Sequence, residues 1–194
     1  MILAQLAFVA IVSAVPAPAR AARPPVPDRE IAGVKVPEKV QVGEKDLTLN
    51  GAGLRTKTVF KVKVYVAGLY LEKPTRDASQ VIASETIKRV DLTFLRELDR
   101  KQIAEAIEEG FERNSKKDLP ALKERLDQLC KIIPDVNKRD AMLITYVPGK
   151  GTTITVRGEE RGTIEGKDFA DALFLVWLGK DPVDHDLRKA LLGG

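Results

Sequence analysis

The stretch Phe60-Lys61-Val62-Lys63-Val64-Tyr65-Val66-Ala67-Gly68-Leu69-Tyr70-Leu71 changes character along its length. Phe60, Val62, Val64 and Val66 mark one face, and Lys61 and Lys63 begin the other. From Tyr65 the second face turns apolar too, through Ala67, Leu69 and Leu71. A period of two is the signature of a strand, and apolar residues on both faces mean cover on both sides. The strand therefore starts half exposed and ends between two layers. Gly68 within it marks a bulge, or a close approach by another chain segment or a ligand.

Shorter alternations precede this strand: Val34 and Val36, then Val40 and Val42, then Leu47 and Leu49. Asn50-Gly51-Ala52-Gly53 reads as a turn, since glycine takes positive φ without a Cβ clash. After the strand, residues 76–84 suit a short helix, and Val90, Leu92 and Phe94 alternate again. Asp99 with Gln102 makes a capping box ahead of the stripe Ile103, Ile107, Gly110 and Phe111. Asp118 caps a second helix, with Pro120 in its first turn and Leu119, Leu122, Leu126, Leu129 and Ile133 along one side, ended by Pro134. Cys130 beside that stripe reads as a small residue at a core edge. Met142–Val147 and Thr152–Arg157 flank a Pro148-Gly149-Lys150-Gly151 connection, and Thr163 and Ile164 add a short strand. A strongly apolar helix from Asp168 to Leu178 precedes Gly179, and Asp184 caps a last helix through Leu192. The order of strands, helices, strands and helix is an α+β pattern.

A chain of 194 residues is long enough for one domain with a true core. One cysteine excludes an intrachain disulfide framework and a cysteine-rich zinc site, and one histidine excludes any site that needs two. Neither a metal nor a cofactor is called for. The segment Ile2–Val15 is apolar apart from Gln5 and Ser13, and Ala19-Arg20-Ala21 follows it. That length suits a secretory signal cleaved after Ala21 rather than a membrane span, although no Lys or Arg precedes it. The alternative is an uncleaved anchor. Cleavage leaves a Pro-rich leader over residues 22–33 and a domain over 34–194, in a protein exported to the periplasm with no stable membrane span. Loss of Arg20 lowers the formal charge from +4 to +3, with acids and bases interleaved, so nucleic acid is set aside as a partner.

Little in the chain resembles familiar catalytic chemistry. Gly51-Ala52-Gly53 lacks the third glycine of a dinucleotide fingerprint. His185, between Asp184 and Asp186, reads as a surface cap residue. Glu108-Glu109 and Glu159-Glu160 read as solvated faces. Arg55 stands out, because it precedes the strand that becomes apolar on both faces. A guanidinium beside an apolar pocket clamps a carboxylate through two parallel charge-assisted bonds. The other reading makes it a surface arginine beside Lys57, Lys61 and Lys63, and spacing alone does not choose.

The run Leu49-Asn50-Gly51-Ala52-Gly53-Leu54-Arg55 followed by Phe60–Leu71 resembles the N-terminal signature of the chalcone isomerase superfamily. The later run Tyr146-Val147-Pro148-Gly149-Lys150-Gly151, then Phe169-Ala170-Asp171-Ala172-Leu173-Phe174 and Trp177-Leu178-Gly179, resembles its bacterial, exported chalcone-isomerase-like branch. The likeness spans Val34 to Gly194. It implies an open-faced β-sandwich, in which a large antiparallel sheet is covered by a layer of helices with a ligand cleft between them.

In such enzymes the cleft uses an arginine, a strand threonine, a helix tyrosine and asparagine, and a late Thr or Ser to close a flavanone ring. By resemblance Arg55 matches the arginine, the threonine falls on Tyr65, the tyrosine near Ile103, the asparagine near Gly110 with Asn114 one turn on, and the last on Val176. The arginine survives and its partners do not. The superfamily's fatty-acid-binding branch pairs an arginine with a tyrosine on the ligand carboxylate, and Arg55 with Tyr65 is similar to that pair. The resemblance thus implies non-catalytic binding of a small amphipathic ligand such as a fatty acid. Arg55 and Tyr65 would hold the head group, and Val66, Leu69, Phe111, Leu173 and Trp177 would line the cleft. The alternatives are an intramolecular lyase of the chalcone isomerase type and a structural or partner-binding envelope protein.

Overall fold

The computed structural model describes residues 28–57 and 61–194. The apolar leader with its junction at Ala21, the prolines from Pro24 to Pro27, and Phe60 lie outside the described residues. A short hairpin of β1 (Arg29–Ile31) and β2 (Val34–Val36) precedes a seven-stranded antiparallel sheet. That sheet is formed by β3 (Lys39–Val42), β4 (Lys45–Lys57), β5 (Val62–Leu71), β6 (Lys88–Phe94), β7 (Ala141–Val147), β8 (Gly151–Val156) and β9 (Glu159–Ile164), each beside the next in sequence. Helix α1 (Ala78–Ala83) joins β5 to β6, and α2 (Arg100–Asn114) and α3 (Leu119–Ile132) join β6 to β7. Helices α4 (Lys167–Leu178) and α5 (His185–Leu191) follow the sheet. This is the α+β architecture expected.

Two cores flank the sheet. The larger joins Ala67, Leu69, Val90, Leu92, Phe94 and Ile144 to Phe111 of α2 and to Phe169, Leu173 and Trp177 of α4. The smaller lies on the opposite face, where Leu47, Leu49, Val66 and Tyr70 meet Val34 and Val36 of the β1–β2 hairpin. β5 is exposed at Val62 and Lys63 and buried from Val64 onward, as its alternation requires. Gly68 lies where another segment comes close. A Cβ there would sit 3.3 Å from Val36 Cγ1 and 3.1 Å from the Tyr70 ring.

The capping box of α2 forms in full, with Asp99 accepting from Gln102 N at 2.8 Å and Gln102 Oε1 accepting from Asp99 N at 3.2 Å. Its buried stripe is Ile103, Ile107, Gly110 and Phe111. Asp118 precedes α3 but its side chain makes no capping bond. The strand read at Thr163 and Ile164 begins earlier, at Glu159. Strand β1 likewise begins inside the stretch read as a leader, paired with β2 from Arg29 to Val36. The larger correction concerns Asn50-Gly51-Ala52-Gly53, which is not a turn. It lies within the thirteen-residue strand β4, and its glycines answer to packing.

Candidate functional site

The site depends on one inserted residue. Leu49 pairs with Tyr70 and Gly51 with Leu69, so Asn50 is the extra residue of a bulge. An extra residue exchanges the faces of everything that follows it. Leu47 and Leu49 face the small core, whereas Gly51, Gly53 and Arg55 face the helices. Asn50 is fixed at both ends of its amide: Nδ2 donates to Leu191 O and Oδ1 accepts from Thr75 N, each at 2.7 Å. Helix α5 then rests directly on the two glycines. A Cβ on Gly51 would lie 2.1 Å from Ala190 O, and one on Gly53 2.7 Å from Ala190 Cβ.

Arg55 is the cross-strand partner of Tyr65, and its guanidinium lies 5.3 Å from the centre of that ring. Tyr65 is buried and meets Phe94 edge-on at 5.9 Å. Trp177 Nε1 donates to Tyr65 Oη at 2.9 Å. That bond uses the phenol oxygen as an acceptor and leaves its O–H to donate elsewhere. Burial pushes the Tyr65 pKa up, against the lowering influence of Arg55 and Trp177, so the group is a neutral donor at neutral pH.

Arg55 Nε is buried and has no hydrogen-bond partner among the described residues. No salt bridge among the described residues includes Arg55. The carboxylate that acts on Tyr65, Asp184, is held by backbone instead: Oδ1 accepts from Leu187 N at 2.9 Å and Oδ2 from Thr56 N at 3.2 Å. Arg55, Tyr65 and Trp177 border a cavity of about 40 Å³ whose walls are otherwise Leu92, Phe94, Met142 and Ile144 of the sheet, Ile103, Ala106 and Ile107 of α2, Val176 of α4, and Leu98, Gln102 and Val183. A cation and a phenol therefore border a mostly carbon-lined space, a combination chemically suited to an oxyanion.

Of the seven residues read as ligand-binding, the structure brings together Arg55, Tyr65 and Trp177. Val66 lies on the opposite face, in the small core, because adjacent strand residues point opposite ways. Leu69, Phe111 and Leu173 face the helical side but are packed solid and do not border the cavity. The lining that was missed comes from alternate residues of β6 and β7 and from Ile103 and Ile107, whose periodicity was readable. Which layer they faced was not. His185 is exposed at the start of α5 and takes no part. Burial pushes the half-buried Cys130 thiol up to about 11, with Glu108 beside it. Among the described residues, no group of three or more His, Cys, Asp or Glu is placed to hold a metal, and no helix is long and apolar enough to cross a membrane.

Residues 28–193 match the family described as chalcone isomerase-like. The chain belongs to the chalcone isomerase-like family. Its fold is shared with the crystal structure of a fatty-acid binding protein of Arabidopsis thaliana, with a TM-score of 0.66 at 16% identity over 82% of this chain and 92% of that one. No curated protein matches the sequence. Within the chalcone isomerase-like frame, two of the positions at which the resemblance sets an enzyme's polar partners are carbon here, Ile103 and Val176, and both line the cavity beside Tyr65. Gly110 is packed against Val176, where a Cβ would come within 2.8 Å. Asn114 is spoken for as well. Its Nδ2 donates to Gly110 O at 3.0 Å and Asp181 O at 2.7 Å, and its Oδ1 accepts from Asp181 N at 3.0 Å.

Proposed function

We propose that this member of the chalcone isomerase-like family is an exported, periplasmic protein of the bacterial branch that binds a fatty acid or comparable amphipathic carboxylate without transforming it. The observation that carries this reading is Arg55, a guanidinium at an apolar cavity whose buried Nε has no acceptor among the described residues. An unpaired buried donor is costly, and a carboxylate satisfies it together with the Tyr65 O–H. The fold likeness to a fatty-acid binding protein supports the same ligand class. The cavity of about 40 Å³ accommodates a head group. An acyl chain requires Ile103, Ala106 and Ile107 of α2 to part from Met142 and Ile144, a movement at one layer boundary of the core.

Organic extraction and mass spectrometry of the purified protein tests the reading. A carboxylate lipid is expected to co-purify, and Arg55→Ala is expected to lose it by about tenfold or more while remaining folded. A protein that carries no lipid and takes up none in native mass spectrometry refutes it. Stereoselective loss of chalcone absorbance, abolished by Arg55→Ala, would replace binding by catalysis. A mature chain beginning at Ala22 is the expected mark of export.

A further inference from the structure

We infer that the β4–β5 end of the molecule is a docking surface for an anionic lipid bilayer. Lys57, Lys61 and Lys63 are all exposed there, and Lys57 faces Val62 across the strand pair while Lys63 faces Thr56. Val62, 39% exposed, is the only large hydrophobic side chain left open to solvent among the described residues. Arg96, also exposed, joins them, because Leu95 N donates to Val64 O at 2.9 Å and so lays the chain after β6 along this end.

The bases of this end are not matched by ion pairs among the described residues. Some exposed bases elsewhere are paired, such as Arg29 with Glu38 and Arg113 with Glu109, and others, such as Lys35 and Lys138, are not; this end differs in gathering its unpaired lysines around one open apolar side chain. Lys57, Lys61, Lys63 and Arg96 take part in no salt bridge among the described residues. Glu97, exposed, follows Arg96, and Asp184 reaches Thr56 N beside Lys57 with its carboxylate held by backbone. Three lysines around one open valine fit a bilayer interface, where ammonium groups meet anionic head groups while their stems and an apolar side chain lie shallowly among them. A nucleic acid would match the lysines and leave Val62 unrewarded. This surface stands whether or not the cavity takes a carboxylate, although Arg55 lies only two residues from Lys57 and docking would bring the cavity to the lipid.

The test uses the full chain with Cys130→Ala and Val62→Cys, labelled at position 62 with an environment-sensitive fluorophore. Phosphatidylcholine vesicles containing about one-third phosphatidylglycerol are expected to shift its emission to the blue, reversibly with salt, and pure phosphatidylcholine vesicles are not. Replacing Lys57, Lys61 and Lys63 together by Gln is expected to lower partitioning about a hundredfold, roughly fivefold for each lysine, with the circular dichroism unchanged. No shift with anionic vesicles, an equal shift with neutral ones, or a shift that survives the triple Gln change overturns the inference. So does tight binding of a DNA oligonucleotide in place of vesicles.

Discussion

The inner face of the sheet carries two cations set against tyrosine rings, one toward each end. Arg55 lies 5.3 Å from the centre of Tyr65, and Lys88 lies 5.2 Å from the centre of Tyr146. The likeness ends with their partners. Lys88 is fully buried, and its ammonium donates to Val81 O at 2.8 Å, Ile82 O at 3.0 Å and Ser84 O at 3.2 Å, with Asp171 at 3.7 Å. It ties the end of α1 to the sheet. Arg55 borders a cavity, and its buried Nε has no acceptor among the described residues. A buried cation with every donor used is an element of structure; a half-buried one with a donor to spare is what the proposed function builds on.

The largest effect expected of this contrast falls on Lys88. Lys88→Ala removes three hydrogen bonds to the end of α1, of which Val81 O keeps Ser84 Oγ and Ile82 O keeps Lys167 Nζ, leaves Asp171 with Lys167 alone and opens a cavity beside Phe174. A loss of about 3–5 kcal/mol in denaturant unfolding is expected. A loss under about 1 kcal/mol would erase the distinction between the two ends.

Lys88 also gives its end of the molecule a response to pH. Burial, with Lys167 nearby, pushes the Lys88 pKa down to about 8, against the raising influence of Asp171. Between about 8 and the ordinary 10.5 the unfolded chain holds more protons at this position than the folded one, so stability contributed here rises with pH across that window. Below about 8 both states are protonated and the contribution is flat. Urea midpoints measured from pH 7 to 10 are expected to rise relative to Lys88→Met, which lacks the group. Parallel curves for the two proteins would show that the ammonium is not penalised.

These two cations were not equally legible in the sequence. Arg55 is a candidate from sequence, with clamp and surface readings both open, because it precedes a strand that turns apolar on both faces. Lys88 escapes the sequence reading, which starts the strand at Val90, although the alternation of Val90, Leu92 and Phe94 extends back to it. Its three carbonyl partners belong to the end of α1, and no periodicity reports where a helix end will lie. The central strands, the caps at Asp99 and Asp184 and the α2 stripe are readable because each rests on local spacing. The bulge at Asn50 was not, since its glycines looked like a turn and are instead the floor for α5. The cavity lining suffered for a related reason. Leu69, Phe111 and Leu173 have the right face, but only the thickness of the packed layer decides which residues border a space.

A smaller loss is expected at Tyr65. Tyr65→Phe keeps the ring against Phe94 and removes the acceptor of the Trp177 N–H, leaving a buried donor unsatisfied. The expected cost is about 1–3 kcal/mol, read as a lower urea midpoint together with a change in the fluorescence of Trp177, the chain's single tryptophan. An unchanged midpoint would mean that water reaches the indole, and hence that this end is wetter than the Lys88 end.

The smallest change in stability is expected at Arg55, and it is the most informative. Arg55→Ala forfeits a cation–ring attraction of about 0.5–2 kcal/mol and the carbon contacts of the side-chain stem. It also removes a buried N–H that has no acceptor among the described residues, which offsets part of that loss. The unfolding free energy should therefore move by about 1 kcal/mol or less, while carboxylate binding falls sharply. Arg55→Lys sharpens the case, because it keeps the charge but replaces a planar fork with a point donor, so it should restore little of the binding. If Arg55→Ala unfolds the protein as deeply as Lys88→Ala, the unpaired Nε is satisfied from within the fold and both cations are structural. If it leaves stability intact and ligand uptake lost, the difference between the two ends is a division between holding the sheet together and holding something else.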